Sequence, residues 1–551
     1  MLFKTKNTYR SICGYIIGLG ILSLVASCGD KAGGSDKKVF RLNFSSGTLE
    51  SMDPAFAKEL FIMWTVHMIY NTLVETDEQL HIVPSLAKNW EISDDGLCYT
   101  FHIRTDVYFQ DNEAFRGGKG RKMTAHDIAY SFTRITDPQT ASPGAWIFNE
   151  RVAQAHGFEA PDDSTFIIHL AKPFRPLLHM LGMPYCSIVP HEAIAMYGKD
   201  FRAHPCGTGP FAYKYWDEGN SLVLYKNPNY WEIDSSGKRL PYIDAVQASF
   251  YDSKSTEFLL FLQHKLDWVN GVDASFKDLI LSKDGEVKPE YKNKFKLSKK
   301  TYFNTEYIGF MLDSSLLQEG NGATKNLLVR QAINYAIDRR KIIRYFRNGL
   351  ASAALQGFIP KGMPGYDSSA TYGYNYEPAK AQELLAKAGF PGGKGLAPIS
   401  IISPPNWADI LNFIVSELKD VGIRANVAIT QANIVKQQMG RCKAAAFRAQ
   451  WIADYPDAET YLVCFDSKFP APPNYTRFSD TNYDNWYNRC LNAPDSLRYI
   501  YYRKMDSLAM SKAPVVPIYY DMLLHFTQNN IKGLRSTPMN IIDLKHVKIE
   551  D

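Results

Sequence analysis

SLAKNWEISDDGLCYTFHIRTDVYFQDNEAFRGGKGRKMTAHDIAYSFTRITDP, Ser85 to Pro138, is the stretch whose reading decides the fold. Trp90 to Arg104 reads as two strands around Asp94-Asp95-Gly96, because Asp-Gly supplies the positive φ that a tight hairpin turn needs. Thr124 with Asp127 three residues on forms an N-cap and its reciprocal acid, opening an amphipathic helix to Arg134. Between them, Asp111 to Met123 (DNEAFRGGKGRKM) is basic and glycine-rich and reads as a solvated loop. A half-buried hairpin feeding a capped helix is framework, and nothing in it implies catalysis.

Outward from there, VFRLNFSS (39–46) alternates enough to be a strand, and Ala57 to Val74 carries helical spacing. GTGPFA (207–212) formally matches a dinucleotide fingerprint. Pro210 and the following FAYKYW (211–216) place a strand after the glycines, however, where a phosphate-binding turn needs a helix N-terminus. An apolar strand around YIGFMLD (307–313) precedes a helix over LLVRQAINYAIDR (327–339). The helix PAKAQELLAKAG (378–389) has Pro in its first turn and Gly after its end, the usual asymmetry. Helix 412–421 then leads into a strand. Strands alternating with helices argue for an α/β arrangement.

The 551 residues exceed what one hydrophobic core usually holds, so two or three lobes are expected. The composition, 45% hydrophobic and 22% charged, is that of a soluble globular protein. Tyr (33), Phe (31) and Trp (9) are abundant enough to fill a core and still line a cleft that buries an organic ligand.

At the N-terminus Lys4, Lys6 and Arg10 precede an apolar run from Ile12 to Ala26, and Leu24-Val25-Ala26-Ser27-Cys28 follows. A run this short with small residues at its end marks a secretory signal rather than a membrane span. Cys28 directly after Ala26-Ser27, with a Gly/Lys/Asp tether to Lys38, predicts a lipoprotein signal over 1–27 and lipidation at Cys28. Acyl chains would bring the protein to a bilayer without spanning it. Losing residues 1–27 removes three positive charges and no acids, taking the formal charge from +5 to +2. That is too weak and dispersed for a nucleic-acid footprint. Six further cysteines (98, 186, 206, 442, 464 and 490) are widely spaced without a C-x-x-C, so no bridge is assigned.

Taken together, the Ser85–Pro138 block, GTGPF (207–211), NPNYW (227–231), YID (242–244), VRQAINYAIDR (329–339) and PVVPIYY (514–520) resemble, in order, the bacterial extracellular solute-binding proteins of family 5. These are the oligopeptide- and dipeptide-binding lipoproteins of ABC importers. The resemblance implies an α/β periplasmic-binding-protein fold (type II, cluster C) with two hinged lobes and an extra domain in lobe I. The implied domains are Ia (39–60, 203–305 and 515–551), Ib (61–202) and II (306–514), with crossings near Asn304 and Pro514. It also implies a lipid-anchored location on the periplasmic side of a bacterial membrane, a monomer, a membrane permease as partner, and no cofactor.

From residue types alone, RAQWIADYPD (448–457) is a strand ending in a polar turn, with Asp454 and Asp457 solvated or capping. The resemblance gives it another role: Asp454 receives a peptide's α-ammonium, Trp451 lies beside it, and Arg448 meets a peptide carboxylate. Arg441 is a looser candidate for a longer ligand's terminus. Gly47, Thr48 and Leu49 would pair with the peptide backbone as a β-strand does. Family members also bind nickel, haem, sugars and other solutes, and the same fold serves peptide-sensing receptors, so these stand as alternatives. A hydrolase is the rival class, but no G-x-S-x-G, Walker A or zinc spacing occurs, and His191-Glu192 lacks the second His of H-E-x-x-H.

Overall fold

Why the chain needs both a hairpin and long central strands is plain from its sheets. A computed structural model describes residues 37–45, 48–317 and 322–550. The hairpin forms as its turn residues require. Ala87–Ile92 pairs antiparallel with Cys98–Ile103, setting Trp90 opposite Phe101 and Ile92 opposite Tyr99, and Gly96 takes φ 68°. Thr165–His169 and Phe158–Asp162 complete this four-stranded antiparallel sheet. Helix Ala125–Thr136 packs on it through Ile128, Phe132 and Ile135. Its cap is the expected one, with the Thr124 amide donating to Asp127 at 2.9 Å.

The basic segment is less solvated than its composition predicts. Phe115 is buried and stacked on Phe109, and Arg121 reaches Asp127 (2.6 Å) and Glu192 (2.5 Å). The paired charges pin the loop to the helix start.

A second four-stranded sheet runs in the order Val39–Asn43, Ala245–Ser249, Ser221–Lys226, Phe211–Asp217. A strand does follow the Gly207-Thr208-Gly209 turn, and the glycines serve packing. A Cβ on Gly209 would lie 2.5 Å from the Ile69 carbonyl carbon and 2.7 Å from the Tyr70 nitrogen, backbone atoms that cannot move aside. Gly209→Ala is therefore expected to lower stability by about 1–3 kcal/mol in urea unfolding, the usual cost of overpacking. The helix expected over 57–74 is shorter, Leu60–Ile69, because Ile69 must hand its carbonyl to the Gly209 amide (2.8 Å).

The third sheet has seven strands around two long ones, Lys296–Phe310 and Val515–Thr527. Trp268–Asn270 lies outside the latter, while Ala446–Ile452, Ile399–Ser403 and Ala425–Ile429 extend the sheet beyond the former. The period of two along the strands feeds two cores: Ile308 and Phe310 face one, Tyr307 the other. The helix expected as one piece over 327–339 is two, Leu327–Ala336 and Arg339–Phe346. The break has a physical reason. Asp338 caps the second helix (3.1 Å to the Arg340 and Lys341 amides). The fully buried Arg339 then spends its guanidinium on carbonyls of Pro517 (2.6 Å) and Asn334 (3.0 Å).

The long pair changes register where it matters. Lys296–Thr301 pairs with Met522–Thr527 and Thr305–Gly309 with Val515–Tyr520, with a shift between Thr301 and Thr305. In that gap Phe303 donates its N–H to the Pro538 carbonyl (3.1 Å) and accepts from the Ala453 amide (2.9 Å). One residue thus ties the end of strand Ala446–Ile452 to the C-terminal segment, and the site lies there.

Candidate functional site

Beside the gap lies a cavity of about 870 Å³, the size of a small organic ligand's pocket. Several parts of the chain wall it, among them Glu75–Gln79, Trp146, Tyr185, Glu232, Tyr302, the turn Ile452–Pro456, and the C-terminal stretch between Arg535 and His546.

Asp454 is on that wall. Strand Ala446–Ile452 ends at Ile452, and the next turn is held by Thr460, whose hydroxyl meets the Asp454 amide (3.3 Å) and carboxylate (3.4 Å). The carboxylate is exposed to the cavity, yet protein surrounds the cavity. Burial pushes its pKa up to about 6; the Thr460 bond lowers it and the Glu459 charge adds to the rise. Tyr185 faces it from another wall, and burial, with the Asp454 charge second, pushes that phenol up to about 12. Among the described residues no cation pairs with Asp454. A carboxylate kept from bulk water and left without a counter-ion is prepared for a cationic group.

Asp457, three residues on, is structural. It is buried, caps the Glu459 amide (2.9 Å), accepts from Tyr502 Oη (2.6 Å) and pairs with Arg498 (2.9 Å).

The other described residues among those expected at the site are not on the cavity wall. Trp451 is half-buried and donates Nε1 to the Thr460 carbonyl (2.6 Å), so it supports the Asp454 turn from behind. Arg448, opposite Ile308 in the strand pair, reaches diagonally to Glu306 and forms an ion pair with it, bonds Gln450 Oε1 (3.0 Å) and stacks on Trp407 (4.6 Å). The expectation of a carboxylate role for Arg448 is therefore corrected: its charge already serves a buried acid on the neighbouring strand. Arg441 is exposed just past helix Ala432–Gly440, away from the cavity. Thr48 is exposed and Leu49 is buried in the core, neither lining the cavity, while Gly47 lies outside the described residues. Cys28 lies outside them too.

Residue patterns gave no notice of the opposite wall. There Lys545 stands between Glu75 (3.1 Å) and Glu232 (2.9 Å), with Asp543 close by. Burial acts most strongly, raising the Glu75 and Asp543 carboxyls, but the Lys545 ammonium together with His67 and, for Asp543, His546 outweighs it, and both sit below their ordinary values. Among the described residues no three His, Cys, Asp or Glu side chains converge as metal ligands. The six described cysteines are unbridged. Among the described residues no helix is long and apolar enough to cross a membrane.

Comparison with known proteins supplies the deciding observation. The family described as bacterial extracellular solute-binding proteins, family 5 middle, matches residues 81–472, well over half of the chain. The chain belongs to family 5 of the bacterial extracellular solute-binding proteins. Heme-binding protein A of Haemophilus influenzae is 27% identical over 493 residues, 85% of each chain. The glutathione-binding protein GsiB of Escherichia coli is 24% identical over 533 residues, covering 95% of this chain and 96% of its own. Among solved structures, HbpA2 of Haemophilus parasuis superposes with a TM-score of 0.78 at 22% identity, over 93% of this chain and 99% of the other. DppA of Helicobacter pylori in complex with the peptide STSA superposes with a TM-score of 0.74 at 24% identity, over 94% and 99%. The fold of this family-5 protein is thus the α/β fold of the periplasmic binding proteins, and its activity is solute binding of the kind that serves ABC importers.

Proposed function

We propose that this family-5 protein captures short peptides in the 870 Å³ cavity and delivers them to a membrane permease. The observation that carries this reading is Asp454: an unpaired carboxylate on the cavity wall, held by Thr460 and facing Tyr185. A peptide's α-ammonium forms charge-assisted hydrogen bonds with such a carboxylate, about twice as strong as neutral ones. Solved relatives described with the peptides STSA and Met-Leu, and a relative named for glutathione, support this reading. Arg448 and Gly47–Leu49 take no part in this reading. Trp451 acts through Thr460.

The mechanism follows from the register gap. Tyr302 lines the cavity where the long strand pair shifts register, between Thr301 and Thr305, so we place the hinge there, between lobe II (306–514) and the rest. Across the cleft Trp146 stacks on Tyr455 at 6.3 Å and Glu150 lies 3.6 Å from Lys468, contacts we assign to the closed form. A solute favours closure only by binding the closed form better, and one touching both Asp454 and the far wall does so. The lipid anchor at Cys28, a periplasmic location and a monomeric state belong to this same proposal.

The test is a thermal-shift and calorimetry series with di-, tri- and tetra-alanine and their N-acetyl forms, followed by mass spectrometry of the recovered peptide. Free-amine peptides are expected to raise Tm and be recovered intact, and acetylated ones to do neither measurable binding nor stabilisation. Equal shifts from both sets contradict the ammonium assignment, and shortened products contradict a binder.

A further inference from the structure

The cavity and the chain that encloses it differ in sign. The chain carries a formal charge of +5, and +2 without residues 1–27. The cavity wall instead carries six carboxylates, Glu75, Asp77, Glu78, Glu232, Asp454 and Asp543. Three permanent cations stand against them, Lys58, Arg535 and Lys545, which leaves the wall at −3 with its histidines counted neutral. Ion pairs reaching beyond the wall do not alter the balance. Lys58 is matched by Glu50 (3.2 Å) and Glu78 by Lys300 (2.7 Å), one partner of each sign. Nor does protonation remove the excess at pH 7.5. Glu75 and Asp543 sit below their ordinary values, and burial raises Asp454 to about 6. A second observation shows which charge this wall holds. Lys545 brings an ammonium to 3.1 Å from Glu75 and 2.9 Å from Glu232, so two acids already share one cation there.

We propose that the cavity selects peptides by net charge, taking those with a basic side chain over neutral ones and rejecting those with an acidic side chain. This rests on the peptide reading of Asp454 and narrows it to a class of peptide. A neutral peptide is a zwitterion, so its two ends cancel and the wall keeps its whole excess. A lysine or arginine side chain takes the occupied cavity from −3 to −2, and a glutamate takes it to −4. Low-dielectric walls of one sign concentrate a ligand of the other sign and speed its capture. Like charge brought into the same space is repelled, and that repulsion supplies most of the discrimination. Because the whole wall is the source of the field, the position of the basic residue in the peptide matters less than its charge.

The test is calorimetry at pH 7.5 on native protein with tri-alanine, Ala-Lys-Ala, Ala-Ala-Lys and Ala-Glu-Ala. It is run at about 10 mM and about 1 M salt, between which the screening length falls from about 30 Å to about 3 Å. At low salt both lysine peptides are expected to bind about tenfold more tightly than tri-alanine, and the glutamate peptide about tenfold more weakly. High salt should shrink each gap several-fold. Glu78→Gln combined with Glu232→Gln removes two of the surplus charges and leaves Asp454 in place. Its lysine-to-glutamate ratio should fall from about a hundredfold to about tenfold. A native melting curve, and a kept preference for tri-alanine over its N-acetyl form, show that this variant folds and works. Equal affinities across the native series overturn the proposal, and so does a ratio that neither salt nor the double variant changes. A preference confined to one lysine position overturns selection by the wall as a whole. Failure of the underlying reading shows separately, as native protein that binds tri-alanine and its N-acetyl form alike. Native protein that binds none of the series overturns both.

Discussion

Asp454→Asn is expected to weaken binding of free-amine peptides at least tenfold while making the ligand-free protein more stable at neutral pH. The first effect is loss of a sheltered charge pair, where truncating one partner costs roughly 2–5 kcal/mol. The second follows from linkage. An acid whose folded pKa is raised, here from 3.8 to about 6, contributes fully to stability only below its ordinary value, and that contribution is lost as pH rises through about 6. At pH 7.5 the native protein holds a poorly solvated charge that the amide does not carry. Thermal melts of both proteins at pH 5 and 7.5 should show the gap between them widening at the higher pH. Affinity has the opposite slope, because the ammonium needs the ionised form. Native protein should bind its peptide about tenfold more weakly at pH 5 than at pH 7.5. A variant less stable than native at pH 7.5, with undiminished affinity, contradicts both halves.

The other large effect is on stability. Asp457 and Arg498 are 1% and 3% exposed and pair at 2.9 Å, and among the described residues Arg498 reaches one other acid, Asp495 at the surface (3.0 Å). Removing one member of such a pair leaves a buried charge without its partner, at about 3–5 kcal/mol. Asp457→Ala should lose that much in guanidinium unfolding. Combining it with Arg498→Met should recover most of the loss, since a buried pair replaced by apolar groups is often close to neutral. If the double variant is less stable than the single by a further several kcal/mol, the pair's charge was not the cause. Asp454 and Asp457 thus divide the labour in one turn: the second anchors it, and the first faces the cavity.

How far these features were legible depends on the distance over which each is decided. The hairpin at Gly96 and the cap at Thr124 are settled within a few residues, and the structure has both. The helix break at Ile337-Asp338 was also local, since Asp is a good N-cap, but the run LLVRQAINYAIDR masked it; Arg339 turns inward to serve the Pro517 carbonyl 178 positions away. Arg448 was misread for the same reason. Its partner Glu306 lies 142 positions upstream, and nothing around residue 448 announces that its charge is taken. Lys545 and Glu75, 470 positions apart, left no local trace at all. Asp454 stood out by its place in a family pattern; its residue type and spacing alone read as a solvated or capping carboxylate.

The central claim is that Asp454 holds a cationic end of a small solute inside the cavity. It is tested most directly by a crystal structure of the protein with its best-binding peptide. The account predicts the peptide's amino nitrogen within hydrogen-bonding distance of an Asp454 carboxylate oxygen, and the rest of the peptide inside the cavity. A peptide bound elsewhere, or one whose carboxylate rather than its amine approaches residue 454, contradicts it.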